Sequence, residues 1–84
     1  MSMPSIAASP GPRERILDAA EELFARRGYS GIGMREVAET AGLGKSSLFH
    51  HFHSKAELYL AVALRRLEAF EQGLNEALAV GGSP

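Results

Sequence analysis

The feature that most restricts the fold is a pair of short apolar-faced segments, residues 34–41 and 45–52, separated by glycine. The apolar residues of the first segment, MREVAETA, recur at the spacing of one helical face. In the second segment, Leu48 and Phe52 lie about one helical turn apart and point inward. Gly42 between them permits the positive φ of a tight corner. The pattern predicts two short helices joined by a turn.

A longer helix is predicted ahead of this pair, beginning near Pro10–Pro12 and ending at Gly28. Proline suits a first helical turn, where its missing N–H is no loss, and Ser9 or Gly11 can cap it. Gly28 can adopt the left-handed conformation that closes a helix, with Tyr29 folding back on the apolar face. The apolar side chains of this helix recur at helical spacing: Ile16, Leu17, Ala20, Leu23 and Phe24.

A fourth helix is predicted from the sequence Ser54-Lys55-Ala56-Glu57, a capping box in which Ser54 and Glu57 satisfy each other's backbone N–H groups. It should continue to about Val80. The first apolar positions, Leu58, Ala61 and Val62, can pack on the core. A second and longer apolar stripe follows: Leu60, Leu64, Leu67, Phe70, Leu74 and Leu78. A domain of this size cannot bury both stripes, so the second predicts self-association or a further helical domain.

The predicted fold class is therefore all-α, a three-helix head with a helix-turn-helix and a long fourth connecting helix. We expect residues 1–11 to be a flexible leader and residues 12–58 to be the head. Residues 59–80 would form the connecting helix and residues 81–84 a linker-like tail.

Composition excludes several classes of protein. The 84 residues contain no cysteine, which excludes disulfides and thiolate metal sites and favours a reducing compartment. No apolar run approaches the length of a membrane span, and the N-terminus lacks the basic residues of a secretion signal. We therefore expect a cytoplasmic protein.

Positive charge is concentrated in residues 40–56, although the chain has a formal net charge of −1. This segment contains Lys45 and Lys55 and no acidic residue, whereas residues 1–39 and residues 57–84 are each net negative. Three histidines in the segment could add charge near phosphate groups. A basic helix-turn-helix whose second helix turns donors outward is typical of proteins that bind a DNA groove.

The segment from Ile16 to Leu58 resembles the DNA-binding domain of the TetR family of transcriptional regulators. The motifs that carry the resemblance are ILDAAEELF at 16–24, Gly28-Tyr29, Val37-Ala38, Ala41-Gly42-Leu43, LFHHF at 48–52, and Ser54-Lys55 with Leu58. The resemblance implies a ligand-responsive repressor whose homodimers bind palindromic double-stranded operators. It also implies a larger C-terminal domain for a small-molecule effector, which these 84 residues do not contain.

Site residues follow from the resemblance. It implies that Lys45 and Ser46 read bases at the start of the recognition helix, with Gly44 close to the bases. A lysine there can reach guanine O6 or N7. Contacts to DNA phosphate are expected at five further positions: Gly33, Ser47, His50, Ser54 and Lys55.

Four positions depart from the family pattern, and each removes polarity. Gly33 and Gly44 replace the Ser or Thr that usually begins a helix, Phe49 replaces Tyr, and Ile32 replaces Thr. Glycine still caps a helix tolerably, but Phe49 cannot donate a hydrogen bond. We expect weaker backbone affinity than in a typical member.

Other functions have weaker support. His50 and His53 have a spacing that a metal site could use, but no Cys or carboxylate lies near enough to complete it, so no metal or cofactor is predicted. The string GLGKSS imitates the end of a phosphate-binding loop, yet Glu39 stands where that motif needs glycine. No catalytic constellation is present, so an enzyme is not expected. The main alternative is a helical protein-interaction module that uses the second apolar stripe.

Overall fold

The computed structural model describes residues 10–81, which form four helices. Helix α1 spans Pro12–Arg27, α2 spans Met34–Ala41, α3 spans Lys45–His51 and α4 spans Lys55–Gly81. The predicted all-α class is confirmed. Most of the predicted leader (residues 1–9) and tail (residues 82–84) lies outside the described residues.

Proline and glycine set the ends of α1. Gly11 is the N-cap, Pro12 occupies the first helical position, and the N–H of Gly28 donates to the carbonyl of Phe24 at 2.8 Å. Gly28 has φ 79°, as the sequence predicts, but its ψ of 168° is extended and not left-handed helical. The chain therefore leaves α1 in an extended direction, and Tyr29 stacks on Phe24 with ring centroids 5.9 Å apart.

The core is a single apolar cluster at the meeting point of the four helices. Helix α1 packs on α2 and α4, and α2 packs on α3. The largest fully buried side chains come from all four helices and the C-cap of α3: Ile16, Val37, Leu48, Phe52 and Leu58. Burying each of these contributes roughly 1.5–3 kcal/mol relative to exposure. The predicted inward face of each short helix is therefore confirmed.

Arg65 joins α4 to α1 through three acidic side chains of α1. Its guanidinium lies 3.2 Å from Glu14, 2.9 Å from Asp18 and 2.6 Å from Glu21. Burial alone would lower the pKa of Arg65, but hydrogen bonds to Glu21 and Asp18 and their charges raise it above its ordinary value. The ion network adds an electrostatic contact to the apolar packing between the two helices.

Helix α4 has a buried beginning and an exposed remainder. Leu58 and Val62 are buried and Ala61 is half-buried. The side chains of the second stripe are 46–65% exposed: Leu60, Leu64, Leu67, Phe70, Leu74 and Leu78. The core thus holds one stripe and leaves the other uncovered, as expected for a domain of this size. Within residues 10–81, no helix is both long and apolar enough to cross a membrane.

The capping box of α4 differs from the predicted one in one bond. Ser54 Oγ accepts from the N–H of Glu57 at 3.1 Å, as predicted. The predicted bond from the N–H of Ser54 to the carboxylate of Glu57 is replaced. This carboxylate accepts from the N–H of His53 at 2.9 Å, one residue before the N-cap. The same carboxylate lies 3.4 Å from His53 Nδ1, so the expectation that no carboxylate lies near this histidine is wrong.

The core assignment predicts that Leu48→Ala lowers the free energy of unfolding by about 2–5 kcal/mol, because it opens a cavity beneath α3. Leu60→Ala is the matched control, since Leu60 is 59% exposed and its truncation should change stability by less than about 0.5 kcal/mol. Urea denaturation followed by circular dichroism measures both. Equal losses in the two variants would contradict the assignment.

Candidate nucleic-acid interface

The corner between α2 and α3 is set by Gly42, which has φ 75° and ψ 30°. Its N–H is directed at the carbonyls of Ala38 and Glu39, and the N–H of Leu43 donates to Ala38 at 2.9 Å. This left-handed closure is the usual way a glycine ends a helix. The chain therefore turns here, and α2 and α3 remain two separate helices.

Arg15 of α1 reinforces the corner, a role that sequence analysis missed. Its guanidinium donates to the carbonyl of Ala41 at 3.2 and 3.3 Å and to that of Gly42 at 3.4 Å. These carbonyls end α2 and have no partner within the helix. A cation at the negative end of a helix is also favoured by the helix dipole. In the sequence, the only sign of this role is that Arg15 directly precedes apolar positions of α1.

Helix α3 presents a polar face because its apolar face is fixed in the core. Leu48 is fully buried and Phe52 is 2% exposed, so rotation of α3 about its axis would expose both. Lys45, Ser46 and His50 are exposed as predicted. Ser47 was also expected to face outward, but it is half-buried. It lies at the edge of the buried face of α3.

Aromatic rings lie under two cations near α3. Lys45 Nζ lies 6.0 Å from the centroid of the Phe49 ring, and the guanidinium carbon of Arg13 lies 5.1 Å from that of Phe52. Both distances are within the range of a cation–π interaction. Phe49 lacks the hydroxyl of the usual tyrosine, but its ring still contacts Lys45 and helps to orient it. Sequence analysis did not identify Arg13 as a neighbour of α3.

Glycine begins both helices of the pair. Gly33, the N-cap of α2, and Gly44, the N-cap of α3, have extended backbones and provide no side-chain cap. Both are exposed, and an added Cβ would meet no atom within 4 Å at either position. The two positions thus offer accessible backbone without a side chain in the way.

Lys55 lies at the start of α4, but its ammonium points toward the loop between α1 and α2. Nζ donates to the carbonyls of Tyr29 and Ile32, at 2.9 Å each, and lies 4.4 Å from the centre of the Tyr29 ring. Ser54, the residue before it, is exposed. The structure thus brings the loop that precedes Gly33 next to the start of α4, whereas the sequence predicted only a phosphate contact for Lys55.

Two short helices that meet at a left-handed glycine, with the second fixed by its apolar face, define a helix-turn-helix protein. Residues 16–62, more than half of the chain, match the family described as bacterial regulatory proteins, tetR family. The chain belongs to the TetR family of transcriptional regulators.

Curated relatives agree with this assignment. The chain is 47% identical over 66 residues to the HTH-type transcriptional activator FasR of Mycolicibacterium smegmatis, covering 79% of this chain and 30% of FasR. It is 38% identical over 69 residues to the transcriptional repressor NemR of Escherichia coli, covering 82% and 35%. The repressor KstR of M. smegmatis is 35% identical over 72 residues, covering 86% and 35%. The chain thus spans about a third of the length of these relatives.

Replacing glycine by alanine is expected to destabilise the protein at position 42 and to stabilise it at position 73. Gly42→Ala should lower the free energy of unfolding by roughly 1–2 kcal/mol, because an L side chain is strained at φ 75°. Gly73→Ala should raise it by about 0.5–1 kcal/mol, since Gly73 lies inside α4 with open space around its Cα. Urea titrations compare the variants. A neutral Gly42→Ala would contradict the corner geometry.

Proposed function

We propose that this protein binds double-stranded DNA in a sequence-specific manner and regulates transcription by inserting α3 into the major groove. The observation that carries the proposal is the fixed presentation of Lys45 and Ser46. Both are exposed at the start of a helix whose opposite face, Leu48 and Phe52, is buried in the core. Recognition helices in helix-turn-helix proteins contact base edges with their N-terminal residues in the same way.

Base readout is assigned to Gly44, Lys45 and Ser46. The Lys45 ammonium can donate to guanine O6 or N7, a contact that is worth roughly 1–3 kcal/mol of discrimination when well formed. The Ser46 hydroxyl can donate or accept and so serves either base of a pair. Gly44 has no side chain, which allows the backbone to approach the groove closely.

Contacts to the DNA backbone are assigned to the groups at the edges of α3 and at the two neighbouring helix starts: Gly33, Ser47, His50 and Ser54. Backbone N–H groups at a helix N-terminus favour an anion, and hydroxyl and imidazole groups can donate to phosphate oxygens. Lys55 lies at the same edge and was expected to contact phosphate, but its ammonium is turned to the loop carbonyls and it is left out of this group. These contacts set the register of the protein and carry little sequence information.

The functional unit is proposed to be a homodimer on a palindromic operator. Two recognition helices about 34 Å apart would enter successive major grooves on one face of the DNA. Occupancy would repress transcription by blocking the promoter. Residues 59–80 of α4 would connect the head to a C-terminal domain that binds a small-molecule effector and changes the separation of the heads. Family membership and the greater length of the relatives support this part.

The exposed stripe of α4 favours a second candidate function, a helical protein-interaction module. Its six large apolar side chains lie at helical spacing and are each at least 46% exposed. Uncovered apolar surface of this kind marks an interaction site. Concentration-dependent association with no binding to DNA in any sequence would favour this candidate over the first.

Selection of bound sequences from a random DNA pool, with two heads joined by a fused dimerisation helix, tests the proposal directly. Enrichment of a palindrome is expected. Lys45→Ala should relax the preference at one position of each half-site, at a cost of about 1–3 kcal/mol for the preferred base. Arg66→Ala removes the same charge from an exposed position of α4 and should leave the selected sequence unchanged. A pool with no enriched sequence would refute the readout.

The salt dependence of DNA binding tests the proposed electrostatic contacts to phosphate. If one head neutralises three or four phosphates, the slope of log K against log salt should be roughly −3 to −4. A single head should bind with a dissociation constant of about 10⁻⁴ to 10⁻⁶ M, the range of non-specific binding. Fluorescence anisotropy with a labelled duplex measures both values. Binding that does not change with salt would contradict the proposed phosphate contacts.

A further inference from the structure

We infer that Lys55 is a positioning residue, which holds the loop between α1 and α2 against the start of α4 and does not bind phosphate itself. The inference rests on the proposed binding of DNA and changes the role that the sequence predicted for this lysine. Its basis is the set of contacts that the Lys55 ammonium makes inside the protein.

The ammonium of Lys55 is already engaged. Its Nζ donates to the carbonyl oxygens of Tyr29 and Ile32, at 2.9 Å each. The face of the Tyr29 ring covers it at 4.4 Å, which is well within cation–π distance. An ammonium has three N–H donors, and two are in charge-assisted bonds. The Tyr29 ring lies on a further side of the ammonium, so moving Lys55 out to a phosphate would break both bonds and give up the ring contact.

The two carbonyls need this donor because they lie in the connection between helices. Tyr29 and Ile32 fall between Arg27, the last residue of α1, and Met34, the first residue of α2. Inside this loop, the N–H of Ile32 is 3.5 Å from the carbonyl of Tyr29, a long hydrogen bond. The side chain of Ile32 is buried, so its backbone is held near the core. Lys55 therefore supplies the short hydrogen bonds to both ends of this turn.

A second side chain of α4 holds the same loop. Tyr59 follows Lys55 by four residues and so lies on the same face of α4. Its ring packs edge-on against Tyr29, with centroids 5.1 Å apart, and against Phe24, with centroids 5.2 Å apart. Tyr29 is thus held by a cation and by an aromatic ring from successive turns of α4. Two independent contacts indicate that this end of α4 serves to fix the loop.

Arg27 of α1 also holds the loop. It donates to the carbonyl of Gly31 at 2.9 Å and forms an ion pair with Glu36 of α2. An added Cβ at Gly31 would lie only 2.8 Å from the carbonyl oxygen of Arg27, so the chain is closely packed there. Arg27 and Lys55 thus bind three carbonyls of the loop, those of Gly31, Tyr29 and Ile32.

The fixed loop sets the distance between two helix starts. Gly33, the N-cap of α2, follows Ile32 directly, and Ser54 directly precedes Lys55. The Lys55 bridge therefore joins the residues next to both N-termini that are proposed to meet phosphate. Phosphate contacts set the register of a protein on DNA, so donors on two elements bind one DNA backbone best when their separation is fixed. Lys55 would act on DNA affinity through these neutral donors.

Two variants separate positioning from direct contact. Lys55→Met removes both charge and donors, whereas Lys55→Gln removes the charge but keeps a side-chain N–H donor. We expect Lys55→Met to speed amide hydrogen exchange at residues 31–35, and Lys55→Gln to restore part of the protection. DNA affinity should fall about tenfold in Lys55→Met, the equivalent of one lost charged hydrogen bond, and less in Lys55→Gln. The probe is a short duplex of mixed sequence.

The slope of log K against log salt distinguishes the two roles of Lys55, because a direct phosphate contact changes this slope and a positioning role does not. Losing a phosphate-bound lysine lowers the slope by about 0.9, whereas losing a positioning lysine should leave it within about 0.3 of the unsubstituted protein. Either result would overturn the inference: unchanged exchange at residues 31–35 in Lys55→Met, or a slope lowered by about 0.9 in both Lys55 variants.

The measurements distinguish a failure of the proposed DNA binding from a failure of the positioning role of Lys55. If the unsubstituted protein bound no DNA even at low salt, the DNA-binding proposal would fail. Hydrogen exchange in Lys55→Met would still test the bridge, because that measurement needs no DNA. Normal exchange at residues 31–35 in this variant would refute the positioning role whether or not the protein binds DNA.

Discussion

The burial of Leu48 and Phe52 beneath α3 is the contact on which the rest of this structure depends. A helix of seven residues is far too short to be stable alone in water, so α3 exists because its apolar face is held in the core. The same contact fixes the rotation of the helix and therefore the direction of Lys45 and Ser46. The left-handed glycine at 42 then sets the angle at which α3 leaves α2.

Basic side chains join neighbouring elements of this fold. Arg15 binds the carbonyls that end α2, Lys55 binds the loop before α2, and Arg65 joins α4 to the acids of α1. The local positive charge counted in residues 40–56 is thus partly directed inward, which leaves Lys45 as its exposed lysine. If this head binds DNA as proposed, backbone donors and a second head must supply much of the affinity.

Helix α4 has two roles along its length. Its first two turns complete the core through Leu58 and Val62 and hold the α1–α2 loop, while its later turns carry an uncovered apolar stripe. FasR, NemR and KstR are each about three times as long as the region that they share with this chain. Uncovered apolar surface of this kind marks an interaction site.

The sequence alone determined the helices and the apolar core, since glycine, proline and helical periodicity act over a few residues. It placed the corner at Gly42, the buried faces of all four helices and the exposed stripe of α4. Only the tertiary structure decided that Lys55 reaches Tyr29, that Arg15 closes α2 and that Arg65 meets three acids. Long charged side chains can reach many partners, and the packing of the helices, which brings together residues more than twenty positions apart, selects among them.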